Sequence, residues 1–70
     1  MKELKEYIEN EIKEVDRIMI DRYLMNNDTH WIPQELYDAD KNPFDDSEDR
    51  ENHSYDLGRL KTLQEILKQL

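Results

Sequence analysis

The feature that most constrains the fold is a long stretch with helical periodicity near the N-terminus. Residues 2–26 contain no glycine or proline, and their apolar residues recur at steps of three and four, which places them on one stripe of an α-helix. We expect this helix to stop at Asn26-Asn27-Asp28, since Asn tolerates the left-handed conformation found at helix ends. Between residues 18 and 25 the apolar face widens, so one partner helix cannot cover it. The stripe comprises Leu4, Ile8, Ile12, Val15, Ile18 or Met19, and Tyr23.

A second helix is predicted at about residues 48–70. Ser47 is the predicted N-cap, and Ser54 is the alternative if the helix begins late. Gly58 is the only glycine and lies inside this helix, where it costs about 1 kcal/mol relative to alanine. A close backbone approach, either to the first helix or across a dimer seam, would explain it; a local break is the alternative. The apolar stripe comprises Leu57, Leu60, Leu63 or Gln64, Leu67 and Leu70, and Ile66 widens it.

The connection between the helices, residues 27–47, is irregular but contains apolar side chains. Pro33 suits the first position of a short helix at about residues 33–39, where its missing N–H costs nothing. We expect the stretch WIPQELY to fold back over the wide end of the first helix, and the acidic run after it to be solvated. The predicted fold is a single all-α domain over residues 1–70: an antiparallel helical hairpin with an acidic, partly ordered connection.

The small size of the chain favours self-association. A chain of 70 residues buries only about 60% of the surface that its unfolded form exposes. It has no cysteine, so disulfides and thiolate zinc sites are excluded as additional stabilisation. The wide apolar face and the lone glycine then predict a homodimer that closes into a four-helix arrangement. The predicted oligomer interface is Ile18, Met19, Tyr23, Gly58, Leu60 and Leu67.

The charge of the chain is concentrated in its middle. The net charge is −8, with 18 acidic and 10 basic residues, and nearly all of the excess lies in residues 26–54. Such a chain is not expected to bind nucleic acid or anionic lipid, because phosphate contacts need a cationic surface. Its field should instead steer it toward a basic protein.

The stretch DADKNPFDDSED, residues 38–49, allows three interpretations. Asp38, Asp40 and Asn42 match the first ligand positions of a calcium loop, but Pro43 stands where the loop needs a glycine, so no metal site is predicted. The remaining alternatives are a solvated loop and a surface that mimics phosphates for a basic groove. The predicted partner-binding residues are the acidic Asp38, Asp40, Asp45, Asp46, Asp49 and Glu51, with Trp31, Tyr37 and Phe44 as apolar anchors.

No catalytic motif is present in the sequence. There is no glycine-rich phosphate loop and no nucleophile motif, and His53 with Asp49 or Asp56 is the kind of pair that usually lies on a helix surface. We therefore expect neither an enzyme nor a cofactor. No apolar run is long enough for a membrane span, and the N-terminus does not read as a signal peptide, so a cytoplasmic location is expected.

The C-terminal stretch YDLGRLKTLQEIL resembles the closing helix of many small phage and prophage proteins. The shared pattern is Tyr55, Gly58 and Arg59 followed by a leucine-rich amphipathic tail, and it covers about a quarter of the chain. The resemblance implies a phage-type accessory protein, and some small acidic phage proteins block host defence systems by occupying nucleic-acid sites. The predicted function is a non-catalytic protein-binding module, a phage-encoded inhibitor of a host nucleic-acid-handling or defence protein. The alternative is an assembly protein whose helical interface is itself the function.

Overall fold

The computed structural model describes residues 2–70 as two long helices and a connection that carries a short 3-10 turn. Helix α1 spans Lys2–Asn27, the 3-10 turn spans Gln34–Tyr37, and helix α2 spans Ser47–Lys68. The predicted all-α helical hairpin is confirmed. Within residues 2–70, neither α1 nor α2 combines the length and the apolar character that crossing a bilayer requires.

Two ion pairs show that α1 and α2 run antiparallel. Arg22 pairs with Asp56 at 2.8 Å, and Glu11 pairs with Arg59 at 2.7 Å. The partner in α1 therefore moves back from residue 22 to residue 11 as the chain of α2 advances from residue 56 to residue 59. This register places the start of α1 beside the end of α2, so the hairpin has an open end there. The connection closes the opposite end.

The end of α1 is formed by amide side chains and one left-handed residue. Asn26 and Asn27 donate from their side chains to the carbonyls of Arg22 and Tyr23, at 2.7 and 3.0 Å. Both carbonyls lie within i→i+4 reach of a backbone N–H of α1, so these side-chain bonds add to the helical ones and hold the two amide side chains against the last turn. Asp28 then takes a positive φ of 46°, and the chain leaves the helix axis.

The N-cap of α2 is Asp46, so the prediction of Ser47, or alternatively Ser54, was wrong. The Asp46 carboxylate accepts the backbone N–H groups of Glu48 and Asp49, at 3.1 and 3.2 Å. Asp caps helices as well as Ser does, and its charge is also favoured by the helix dipole. The residue immediately before the predicted cap therefore supplies the acceptor.

The hydrophobic core takes side chains from both helices and from the connection. Burying an apolar side chain of this size contributes about 1.5–3 kcal/mol. Because α1 and α2 alone would leave one side of the wide apolar face open, the two connection residues are essential to the core. The core residues are Val15 and Met19 of α1, Leu57 and Leu60 of α2, and Leu36 and Phe44 of the connection.

The WIPQELY stretch folds back over α1, as the sequence predicted. The short helix expected at residues 33–39 is the 3-10 turn Gln34–Tyr37, and its Leu36 is fully buried against Met19 and its neighbours. The Tyr37 hydroxyl donates to the Asp16 carboxylate of α1 at 2.6 Å. Burial, together with this bond, raises the pKa of Tyr37 to about 12.

Gly58 is exposed and does not interrupt α2. Apart from its chain neighbours and the surrounding backbone of α2, a Cβ atom built on it would meet no atom of residues 2–70 within 4 Å. The expected close approach to α1 was therefore wrong, and so was the local break, while a close approach across a dimer seam stays a prediction. Nothing within residues 2–70 explains why the glycine is there.

Candidate protein-binding surface

The acidic segment, residues 38–51, comprises the end of the connection and the first turn of α2, and Phe44 anchors it to the core. The Phe44 side chain is only 2% exposed. Its ring meets Tyr23 of α1 edge-on with centroids 5.9 Å apart, and it lies 5.0 Å from the ring of His53 in α2. Such aromatic pairs contribute about 0.5–1.5 kcal/mol beyond the buried area. The acidic segment is therefore tied to both helices at its centre.

A reciprocal clamp between Arg50 and Asn42 holds the loop on α2. The Arg50 guanidinium donates to the carbonyls of Phe44 and Asn42, at 2.9 and 3.3 Å. In return, the Asn42 side chain donates to the Arg50 carbonyl at 3.0 Å and to the Ser54 hydroxyl at 3.3 Å, and it accepts the Phe44 N–H at 3.1 Å. Hydrogen bonds to a charged group contribute about 1.5–3 kcal/mol each. The clamp gives the loop one defined conformation.

Two aspartates of the acidic segment bond to backbone N–H groups rather than to a cation. Asp38 accepts the N–H of Asp40 at 2.9 Å, which forms a local turn, and Asp46 caps α2. Within residues 2–70, no group of three or more His, Asp or Glu side chains is arranged to hold a metal ion.

Within residues 2–70, the carboxylates of the acidic segment form no ion pair. Five ion pairs lie within the described residues, and none takes a carboxylate from residues 38–51. Arg50 is surrounded in sequence by acids, yet its guanidinium is bonded to backbone carbonyls. Seven carboxylates in this segment thus stand on an ordered backbone without an ion pair. Their negative potential is available to a partner.

A cleft of about 170 Å³ lies between the end of α1 and the start of α2. The last turn of α1 carries no basic residue, so the negative end of its dipole is not compensated there. The carboxylates of Asp45, Asp46 and Asp49 line the side of the cleft that faces the end of α1. This acidic cleft has the size and the charge to accept a lysine or arginine side chain of another protein. Its lining is Asn26, Asn27, Pro43, Phe44, Asp45, Asp46 and Asp49.

The six predicted acidic contact residues all reach the surface to some degree. Asp40, Asp45, Asp46 and Glu51 are exposed, and Asp38 and Asp49 are half-buried. Asp45, Asp46 and Asp49 come together around the acidic cleft. Asp40 and Glu51 line a second cleft beside Asn42 and Arg50, and Asp38 and Asp40 lie in a third, with Lys61 of α2.

The three predicted apolar anchors have very different positions. Trp31 is 66% exposed and is available to a partner. Tyr37 is half-buried, and its hydroxyl is bonded to Asp16. Phe44 is a core residue, so it supports the surface from below and is not itself accessible.

The residues predicted for an oligomer interface are also divided. Met19 and Leu60 lie in the core of the single chain. Ile18, Tyr23 and Leu67 are half-buried, and Gly58 is exposed. The wide apolar face that motivated this prediction is largely covered by the connection, through Leu36 and Phe44.

Three polar residues beneath the surface were not singled out as structural by their sequence pattern. His53 is only 1% exposed, and neither ring nitrogen has a hydrogen-bond partner within residues 2–70. The pKa of His53 is lowered, chiefly because burial disfavours the charged imidazolium, and the positive charge of Arg22 lowers it further. The Leu36 carbonyl and the Asp56 carboxylate act in the opposite direction but do not cancel the shift. Arg22 and Asp56 form their ion pair beside it. Only the helical spacing of His53 and Leu57 gave a hint that His53 faces the core.

The chain was compared with protein families, curated proteins and solved structures. No family model, no curated protein and no solved structure matches it.

Proposed function

We propose that the chain is a non-catalytic protein-binding module whose acidic segment binds the basic, nucleic-acid-binding groove of another protein. The observation that carries the proposal is the set of seven carboxylates in residues 38–51 that form no ion pair within the described chain. A groove that recruits phosphates also attracts fixed carboxylates, and both associations weaken with added salt.

The rigidity of the acidic segment favours binding over plain solvation. Phe44 is buried, and the Arg50–Asn42 clamp fixes the backbone on either side of it. A preorganised surface loses less conformational entropy when it binds than a mobile loop would. The carboxylates on either side of the clamp are thus carried on a backbone that is hydrogen-bonded and anchored to the core.

The acidic cleft gives this surface a specific contact. A lysine or arginine from the partner would enter between Asp45, Asp46 and Asp49 and would meet the uncompensated end of α1. Charge-assisted hydrogen bonds to such a side chain are roughly twice as strong as neutral ones. The exposed Trp31 adds an apolar contact outside the cleft.

The resemblance of the C-terminal helix to small phage proteins supports a partner in the host. We infer that the module is phage-encoded, that it meets its partner in the host cytoplasm, and that it inhibits a nucleic-acid-handling or defence protein by occupying its nucleic-acid site. Binding and inhibition would require no cofactor.

Affinity capture tests the proposal. The immobilised chain is incubated with a bacterial lysate, and bound proteins are eluted with duplex DNA and identified by mass spectrometry. We expect basic nucleic-acid-binding proteins in the eluate. The acidic-end variant, which carries Asp38→Asn, Asp40→Asn, Asp45→Asn, Asp46→Asn, Asp49→Asn and Glu51→Gln, should recover none of them.

A charge-matched control separates a specific surface from net charge alone. Glu3→Gln, Glu6→Gln, Glu9→Gln, Glu14→Gln, Asp21→Asn and Glu65→Gln remove the same number of charges from outside the acidic segment. This control should capture the same proteins as the unmodified chain. Equal loss in both variants, or an eluate without nucleic-acid-binding proteins, would disprove the proposal.

A further inference from the structure

The open end of the hairpin carries an apolar patch that residues 2–70 leave exposed. Leu4 and Tyr7 of α1 are 43% and 60% exposed, and Ile66 and Leu70 at the end of α2 are 39% and 50% exposed. We call these four residues the open-end patch. The core cluster extends along α1 to Ile12 and along α2 to Leu63, and Ile8 is buried one turn before Ile12, so the patch lies at the outer edge of the buried region.

Three side chains of the patch, Leu4, Tyr7 and Ile66, lie toward the same side of the hairpin. The ion pair between Glu11 and Arg59 marks that side, because both side chains must reach across it. Tyr7 precedes Glu11 by four residues and Leu4 precedes it by seven, so both share its helix face. Ile66 follows Arg59 by seven residues, which places it near the Arg59 face of α2. Leu70 lies two residues beyond the end of α2, and its N–H donates to the Leu67 carbonyl at 3.2 Å, so the last turn carries on to it. The patch therefore takes side chains from both ends of the chain.

We propose that the open-end patch is a self-association surface, on which a second copy of this chain packs by two-fold symmetry. The charge distribution selects this partner. Residues 2–10 hold two lysines and three glutamates, and residues 62–70 hold one of each, whereas residues 26–54 carry a net charge of −7. Two copies with a net charge of −8 repel each other least when they meet through their nearly neutral ends.

The mixed charges around the patch suit a copy of itself better than a strongly charged protein. Exposed Lys2, Glu3, Lys5 and Glu6 on α1 and Glu65 and Lys68 on α2 surround the apolar side chains. Around a two-fold axis each surface meets the same surface, so a rim with both signs of charge can pair with itself. A strongly basic or strongly acidic protein would gain little electrostatic attraction there, because the charges around the patch nearly cancel.

The size of the patch sets the strength of the association. Four side chains with these exposures form a patch comparable to the largest one on a typical monomer, about 300–600 Å². Two such patches make an interface below about 1,200 Å² in total, which is typical of weak complexes. We therefore expect a reversible dimer, not an obligate one.

This geometry has a consequence for binding that rests on the proposed function. The chain is 40 Å long, and the acidic cleft of its acidic segment lies at the end opposite the open-end patch, while Asp38 lies farther along the hairpin, beside Lys61 of α2. A dimer joined at the open ends presents its two acidic segments at opposite poles. It would then bind two basic partners, or two sites on one, with the gain in avidity that linked sites give.

Sedimentation equilibrium of the purified chain from about 1 µM to about 1 mM tests the self-association, and it requires no partner protein. We expect the weight-average mass to rise from monomer to dimer over this range. Tyr7→Lys and Ile66→Lys should each weaken the dimer by at least tenfold, because each places a charge in the contact. Circular dichroism confirms that the variants remain helical.

The matched control is Tyr55→Lys, since Tyr55 is 72% exposed and lies outside the patch. It should leave the monomer–dimer equilibrium unchanged. A chain that stays monomeric to about 1 mM, or a Tyr55→Lys variant that loses the dimer as Tyr7→Lys does, would overturn the proposal. Either result leaves the binding of a basic partner by the acidic segment to be judged by affinity capture alone.

Discussion

Arg22 of α1 and Asp56 of α2 form the least exposed ion pair in the described chain, 2.8 Å apart with side chains 17% and 14% exposed. The pair lies beside the buried His53. Within residues 2–70, the second terminal nitrogen of Arg22, Nη1, has no hydrogen-bond partner, and Oδ2 of Asp56 has only its ion-pair contact with Arg22. A pair in this environment stabilises little by itself, but removing one member leaves an uncompensated charge. It also fixes the antiparallel register of the hairpin.

We predict that Asp56→Asn lowers the free energy of unfolding by about 2 kcal/mol, because it leaves the Arg22 charge without a counter-charge. The double variant Arg22→Met, Asp56→Leu should recover most of this loss. Urea denaturation measures both. Arg17→Met, which removes a fully exposed cation between Glu14 and Asp21, is the control and should have no measurable effect. A double variant less stable than Asp56→Asn would contradict this account.

Asp46→Ala should destabilise α2 by about 1 kcal/mol, because two backbone N–H groups lose their acceptor. Ser47→Ala should cost much less, since Asp46 is the N-cap. Thermal and urea unfolding of the two variants compare them directly. If Ser47→Ala were the more damaging change, the cap assignment would be wrong.

Gly58→Ala should raise the free energy of unfolding by about 0.5–1 kcal/mol, since alanine is the better helix former and its methyl group would meet no other atom of the described chain. Urea denaturation of the isolated chain measures this gain. A decrease in stability at low protein concentration would contradict the open environment of Gly58.

The stability of the chain should decrease as the pH falls below about 6.5, the ordinary pKa of histidine. Burial lowers the pKa of His53 in the folded chain, so the unfolded chain takes up the proton at a higher pH. Each step down in pH between the two pKa values then favours unfolding. Unfolding of the wild type and of His53→Leu should show a shallower pH dependence for the variant. His30→Gln, at an exposed position, should behave as the wild type does.

The helices were predictable because their signal is local, while the contacts that shape the surface are not. The stripes through Val15 and Leu57 repeat within one helix and identify it directly. Phe44 stands alone among acids, so its sequence neighbours suggested a solvated loop, and its burial depends on Tyr23 and His53, which are distant in sequence. Arg50 likewise looked like one more surface charge, although it fixes the loop through backbone carbonyls.

The acidic segment itself was visible in the sequence, but its order was not. Composition alone left open whether Asp45 and Asp49 belong to a solvated loop or to a surface. The cleft depends on the meeting of the end of α1 with the start of α2, and only the antiparallel packing brings Asn27 beside these aspartates. In the structure the segment has an ordered backbone, and its carboxylates form no ion pair within residues 2–70.

The most direct test of the central claim is displacement of nucleic acid from a captured partner. A labelled duplex DNA is bound to the partner, and fluorescence anisotropy follows its release as the chain is added. Wild type and the charge-matched control should release the DNA, less effectively as salt is raised, and the acidic-end variant should not. Release by the acidic-end variant at the wild-type concentration, or no release by the wild type, would contradict the account.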